Sequence, residues 1–134
     1  MREILFKAKT WEGGRWVFGD LLQFQSNTAI HSYLNGCRVS DDVNPRTVCQ
    51  YTGLTDRNGV KVFEGDILKF TDEFNSYEWI GRVEFGNPNA GYTWGWQLVY
   101  VSGEETNVDT LCWFDMEESG AYSEVIGNIH DKED

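Results

Sequence analysis

The sequence predicts a mainly β protein with at most one or two short helices, on three observations. Residues 50–70, QYTGLTDRNGVKVFEGDILKF, set three short β-rich runs between two groups of turn residues. Residues 79–85 and 92–101 alternate their large apolar side chains, at the period of a half-buried strand. Connections elsewhere are short and rich in Gly, Asn and Asp, with no long crossover. From residue 60 onward this gives five or six short strands. That is the pattern of a small SH3-like or OB-like barrel, here preceded by an N-terminal β-hairpin subdomain.

Residues 2–8 alternate, with Ile4, Phe6 and Ala8 on one side, and predict a first strand. Glu12-Gly13-Gly14 reverses the chain, and residues 15–18 return as a second strand. Gly19-Asp20 is expected to break it. Residues 21–25 and 28–34 predict another hairpin around Ser26-Asn27, although Ala29, Ile30, Tyr33 and Leu34 also fit one helical turn. Asn35-Gly36 is a turn. Residues 40–44 read as a polar linker ended by Pro45, which lacks a backbone donor and stiffens the chain. The boundary is placed there: 1–44 as the N-terminal β-hairpin region, 45–134 as the barrel. One continuous domain over 1–130 is the alternative.

In the central stretch, residues 47–51 are a short β-rich run, Gly53 is a structural turn residue after it, and Asp56, Asn58 and Gly59 form a strong turn. Asp and Asn bond their own backbone, and Gly takes positive φ without a Cβ clash. Residues 60–63 make the next strand, Glu64-Gly65-Asp66 the next turn, and 67–70 the third strand. Asp66 is read as an acceptor for backbone N–H groups at that turn. Residues 71–77 are polar and 86–91 are loop-like. Gly95 predicts a bend or bulge between Trp94 and Trp96. Residues 102–109 form an acidic loop, and 110–118 fit a strand or a single helical turn. Residues 123–129 close the fold with a kink at Gly127, and 131–134 fray.

At 134 residues the chain suits one ordinary domain or two very small ones. Six Trp, six Tyr and eight Phe supply ample core material. No stretch approaches the ~20 apolar residues of a membrane span, and no basic-then-apolar leader opens the chain. A soluble, cytoplasmic protein is the expectation. Cys37, Cys49 and Cys112 are odd in number and widely spaced, which argues for buried free thiols rather than disulfides or a zinc site. His31 and His130 are the only histidines. No phosphate-binding loop, dinucleotide fingerprint, nucleophile elbow or zinc-protease motif is present. Asp115, Glu117 and Glu118 could hold Mg²⁺ or Ca²⁺, but such charge runs read as solvated surface. Glu64 and Asp66 form a carboxylate pair with no cleft assigned to it. The reading is therefore no enzyme, no cofactor and no metal.

The net charge of −11 is uneven: six basic and five acidic residues up to Arg46, then five basic and seventeen acidic. Acidic surfaces repel phosphate backbones, which disfavours direct nucleic-acid binding. Solubility alone accounts for surface charge; a face for a basic partner, or a mimic of nucleic acid, is the sharper reading. Tyr92, Trp94, Trp96 and Tyr100 share one strand face with Leu98. They read as core, with a peptide or base platform and a subunit interface as alternatives.

Three motifs resemble the YopX family of phage and prophage proteins. They are Arg2-Glu3-Ile4 with Phe6, then Gln50-Tyr51-Thr52-Gly53-Leu54 through Asp56, Asn58-Gly59 and Phe63-Glu64-Gly65-Asp66-Ile67, and last Glu124-Val125-Ile126-Gly127-Asn128-Ile129. The resemblance spans nearly the whole chain and is weakest over 21–44 and 71–118. The tail departs from the family's usual Tyr-Glu-Asn-Pro: here it is His130-Asp131-Lys132-Glu133-Asp134. The resemblance implies an SH3-type core, carriage by mobile genetic elements, residence in the bacterial host's cytoplasm and a capacity to form oligomers. It implies no catalytic residues. The function expected is a non-enzymatic accessory protein that binds a protein partner or a second copy of itself. The rivals are an acidic nucleic-acid mimic, and a nucleic-acid-binding barrel that would need Arg15, Arg38, Arg46 and Arg82 on one face.

Overall fold

The computed structural model describes residues 3–73, 77–86, 95–103 and 121–131. Its strands are β1 (Phe6–Lys9), β2 (Trp16–Gln23), β3 (Thr28–Leu34), β4 (Cys37–Asp42), β5 (Cys49–Thr55), β6 (Lys61–Phe63), β7 (Asp66–Asp72), β8 (Tyr77–Gly86), β9 (Gly95–Gly103) and β10 (Ala121–Asn128). All pairings are antiparallel. A six-stranded sheet runs β4-β3-β2-β1-β5-β6, and a four-stranded sheet runs β10-β7-β8-β9. The described strands thus make two antiparallel sheets and no closed barrel. No helix among them is long and apolar enough to cross a membrane.

The N-terminal part is richer in strand than the sequence suggests. β2 runs straight through Gly19-Asp20, where a break is expected. The reason is steric. A Cβ on Gly19 would lie 2.2 Å from the His31 carbonyl oxygen, so this glycine marks a close approach of two backbones and does not end the strand. β3 is a strand and not a helical turn. It is paired along one edge with β2 and along the other with β4, and those ladders outweigh the local spacing of its apolar residues. Asn35 (φ 52°) and Gly36 (φ 80°) form the tight connection to β4, both in the left-handed region that such hairpins require. β4 also absorbs residues 40–42 of the expected linker.

Pro45 opens a single 3-10 turn over Pro45–Thr47, capped by the Asn44 side chain accepting from the Arg46 N–H. The end of β4 meets the end of β1 in a bridge between Val43 and Thr10, and the Asn44 N–H donates to the Lys9 carbonyl. Strands β1 to β4 therefore curl around Ala8, Val17, Ile30 and Val43, all buried. β5 then pairs with β1, Lys7 opposite Cys49, so the six-stranded sheet draws on both sides of Pro45.

The second sheet packs Leu68, Phe70, Trp79, Val83 and Leu98 with Val62 from β6. Each large apolar side chain buried here stabilises by about 1.5–3 kcal/mol, which makes this cluster its chief support. The β10–β7 register shifts between Val125 and Gly127, a bulge at the expected kink. A third cluster of Cys49, Tyr51 and Phe63, with Leu5 and Trp16 against it, completes the core.

Gly19→Ala is predicted to destabilise the fold by about 1–3 kcal/mol, because β2 and β3 would have to separate. Urea unfolding followed by tryptophan fluorescence measures this; an unchanged midpoint would contradict the close approach.

Candidate functional site

The chemistry-bearing side chains gather at two junctions and one cleft. The first junction is built on Asp66, which is 1% exposed at the start of β7. Its Oδ2 accepts the Phe63 N–H at 2.7 Å, closing the turn through Gly65. Its Oδ1 accepts from Lys7 Nζ at 3.0 Å and from Asn128 Nδ2 at 2.9 Å. Lys7 comes from β1 in the other sheet, and its ammonium also lies 4.6 Å from the Trp16 ring centre and 4.8 Å from that of Phe63. Asn128, at the end of β10, accepts the His130 N–H on Oδ1 and gives its own N–H to Asp131 Oδ2. Asp131 Oδ1 accepts from Trp16 Nε1 at 3.0 Å. One run of charge and hydrogen bonds thus crosses from β1 to β7 to β10 and back to β2. Buried ions need this: an isolated buried charge is far more costly than a paired, hydrogen-bonded one.

The second junction is built on Asp56, 6% exposed. Its Oδ1 accepts the N–H groups of Asn58 (2.8 Å) and Val60 (2.9 Å), which shapes the turn. Its Oδ2 accepts the Val125 N–H at 2.9 Å, and the Arg57 N–H donates to the Ser123 carbonyl at 3.1 Å. The turn therefore caps the free edge of β10. Gly53, at φ 91°, lies in the stretch where the β5–β6 register shifts.

The cleft, of about 200 Å³, lies between the sheets. It is lined by Arg46, Val48, Cys49, Glu64, Gly65, Arg82, Val83, Glu84, Ile129 and His130. Burial raises the Glu64 pKa, while hydrogen bonding from the Gln50 backbone opposes the rise. Burial pushes the Cys49 thiol up to about 12, against the Lys7 charge, which lowers it. A second hollow, of about 510 Å³, lies beside Thr10, Trp11, Glu12, Arg15 and Ser40 to Asp42.

Of the expected aromatic face, Trp96 is half-buried with its ring edge-on to Phe85 at 4.9 Å. Tyr100 is 45% exposed, and its ring lies nearly parallel to that of buried Trp79. Leu98 between them is in the core. Tyr92, Trp94, Cys112, Asp115, Glu117 and Glu118 lie outside the described residues. The thiols divide: Cys49 is buried, as expected, but Cys37 is exposed because the β3–β4 hairpin carries it away from the core. Among the described residues no group of three or more His, Cys, Asp or Glu is placed to hold a metal ion.

The four arginines are not gathered at one site. Arg15 pairs with Asp41 at 3.6 Å, and Arg38 lies over the Tyr33 ring. Arg46 and Arg82 both line the cleft. Sequence reasoning missed Lys7 and Asn128. Lysine at a predicted strand position reads as surface, and only its placement among the alternating apolar residues of β1, on the side opposite Phe6 and Ala8, hinted at a second buried face.

A family model described as YopX protein matches residues 5–133 of the chain. No curated protein and no solved structure matches it.

Removing one member of the Lys7–Asp66 pair, by Lys7→Met or Asp66→Asn, is predicted to destabilise by about 3–5 kcal/mol. The double variant is expected to lose clearly less than the sum, and additive losses in urea unfolding would show that the pair is not coupled. Cys49 gives a second expectation. Its thiol is protonated in the fold well above the unfolded value of 9.0, so the unfolded chain loses its proton first and stability falls as pH rises from 9.0 towards about 12. In the native protein near pH 8, iodoacetamide should label Cys37 and leave Cys49 unlabelled until denaturant is added, as peptide mass spectrometry would read.

Proposed function

The chain belongs to the YopX family, and from that premise we propose that it is a non-enzymatic accessory protein of a phage or prophage, acting in the host cytoplasm. It is a β module that binds a protein partner or a second copy of itself. The observation that carries this is the Asp66 junction. Both carboxylate oxygens are engaged by Phe63, Lys7 and Asn128, and the carboxylate is 1% exposed. The acids that most resemble a catalytic pair are thus divided between a structural tie and a turn, which supports a scaffold rather than an active site.

Charge supports a basic partner. Apart from Arg46, each described lysine and arginine lies against a carboxylate or an aromatic ring. The acidic excess is what the surface offers. Direct nucleic-acid binding is disfavoured by the same count and by the scatter of Arg15, Arg38 and the Arg46–Arg82 pair. The mimic reading keeps one observation in its favour, the grouping of Glu12, Asp41 and Asp42 around one hollow beside Trp11. An SH3-like core belongs to the same proposal. β6 to β10, with the Asp56 turn bonded onto the edge of β10, support that arrangement.

Light scattering on the pure protein, with pull-down from host lysate at low and raised salt, tests the reading. A defined complex or a concentration-dependent dimer is expected, and an acid-led complex should weaken with salt. A strict monomer that captures nothing would count heavily against it.

A further inference from the structure

We propose that the cleft between the two sheets is a binding site for a small monoanionic carboxylate, held by Arg46. This goes beyond the partner reading and does not depend on it. Several elements line the cleft, which is open to solvent. Val48 enters from the end of the 3-10 turn, Cys49 from the start of β5, Gly65 from the β6–β7 turn, Val83 from β8, and Ile129 and His130 from the segment after β10. At about 200 Å³ it suits a carboxylate with a short alkyl stem.

The charges in its walls decide the sign of the occupant. Arg82 is held by Glu84 at 2.9 Å. Glu64 is half-buried and bonded by the Gln50 backbone. Arg46 differs. It is exposed, its backbone N–H goes to Asn44, and among the described residues its guanidinium has no ion pair, hydrogen bond or ring contact. In a chain with 22 acidic and 11 basic residues, a cation without a partner is the unusual case. A guanidinium offers two parallel N–H donors, which match the two oxygens of a carboxylate. Val48 and Ile129 supply accessible apolar wall for the stem. Glu64 and Glu84 set the limit: a doubly charged phosphate would meet both, whereas a single negative charge placed at Arg46 is offset there.

The test is a titration of ¹⁵N-labelled protein with sodium butyrate, followed by amide shifts, against sodium chloride at equal ionic strength. Saturable shifts are expected at Cys49, Gly65, Val83 and His130, with millimolar affinity. Arg46→Gln, at an exposed position, should leave the thermal midpoint in place and weaken butyrate by about tenfold, the worth of one charge-assisted hydrogen bond. Arg46→Lys should recover part of the loss. Inorganic phosphate should bind more weakly than butyrate. Shifts that grow linearly as in chloride, an affinity unchanged by Arg46→Gln, or tighter binding of phosphate would each overturn the proposal. The titration uses no partner, so its failure and the failure of the pull-down are separate results.

Discussion

Asp66 sits where β1, the β6–β7 turn and the end of β10 come together, and the rest of the molecule is arranged so that this carboxylate is never without donors. Lys7 brings the opposite charge from the other sheet. Trp16 and Phe63 cover the ammonium, and Asn128 and the Phe63 N–H fill the remaining acceptor capacity. A buried ion pair of this kind adds little stability over a well-packed apolar pair of equal volume. What it adds is register. A one-residue slip of β1 would turn Lys7 to the opposite face and leave Asp66 buried without its counter-charge. The Lys7–Asp66 pair thus helps to fix the two sheets relative to each other, beside the packing of Val62 into the second sheet's apolar cluster.

Asp56 solves a different problem with the same chemistry. β10 is the outer strand of its sheet, and an outer strand exposes N–H and C=O groups that invite another strand. Here a carboxylate takes the Val125 N–H, and the Arg57 backbone fills the Ser123 carbonyl. A turn from the first sheet therefore behaves as a partial neighbouring strand for the second. Arg57 strengthens the contact by stacking on Tyr122, with the guanidinium carbon 3.8 Å from the ring centre.

Much of this was legible locally. The turn residues Asp56, Asn58 and Gly59, the turn at Gly65-Asp66, the alternation of β8 and the bulge near Gly127 all follow from rules that act over a few residues. What was not legible needed a partner distant in sequence. Gly19 reads as a breaker until His31 is known to lie against it. Residues 40–42 read as linker because Ser and Asp are poor strand formers, and only their pairing to Ala29–His31 makes them a strand. The carboxylate at 66 announced a turn, but nothing near it announced a lysine 59 positions earlier.

That separation has a consequence for synthesis. Lys7 is made before its counter-ion, which follows 59 residues later, and Asn128 comes a further 62 after that. Contacts of such long range are formed slowly, because loop closure precedes any gain from them. Until they form, the nascent chain carries a solvated lysine on what will become an interior face, with its edge strands unprotected. Until Asn128 emerges Asp66 lacks one of its three donors, so the junction is completed only after the chain has been made through that residue.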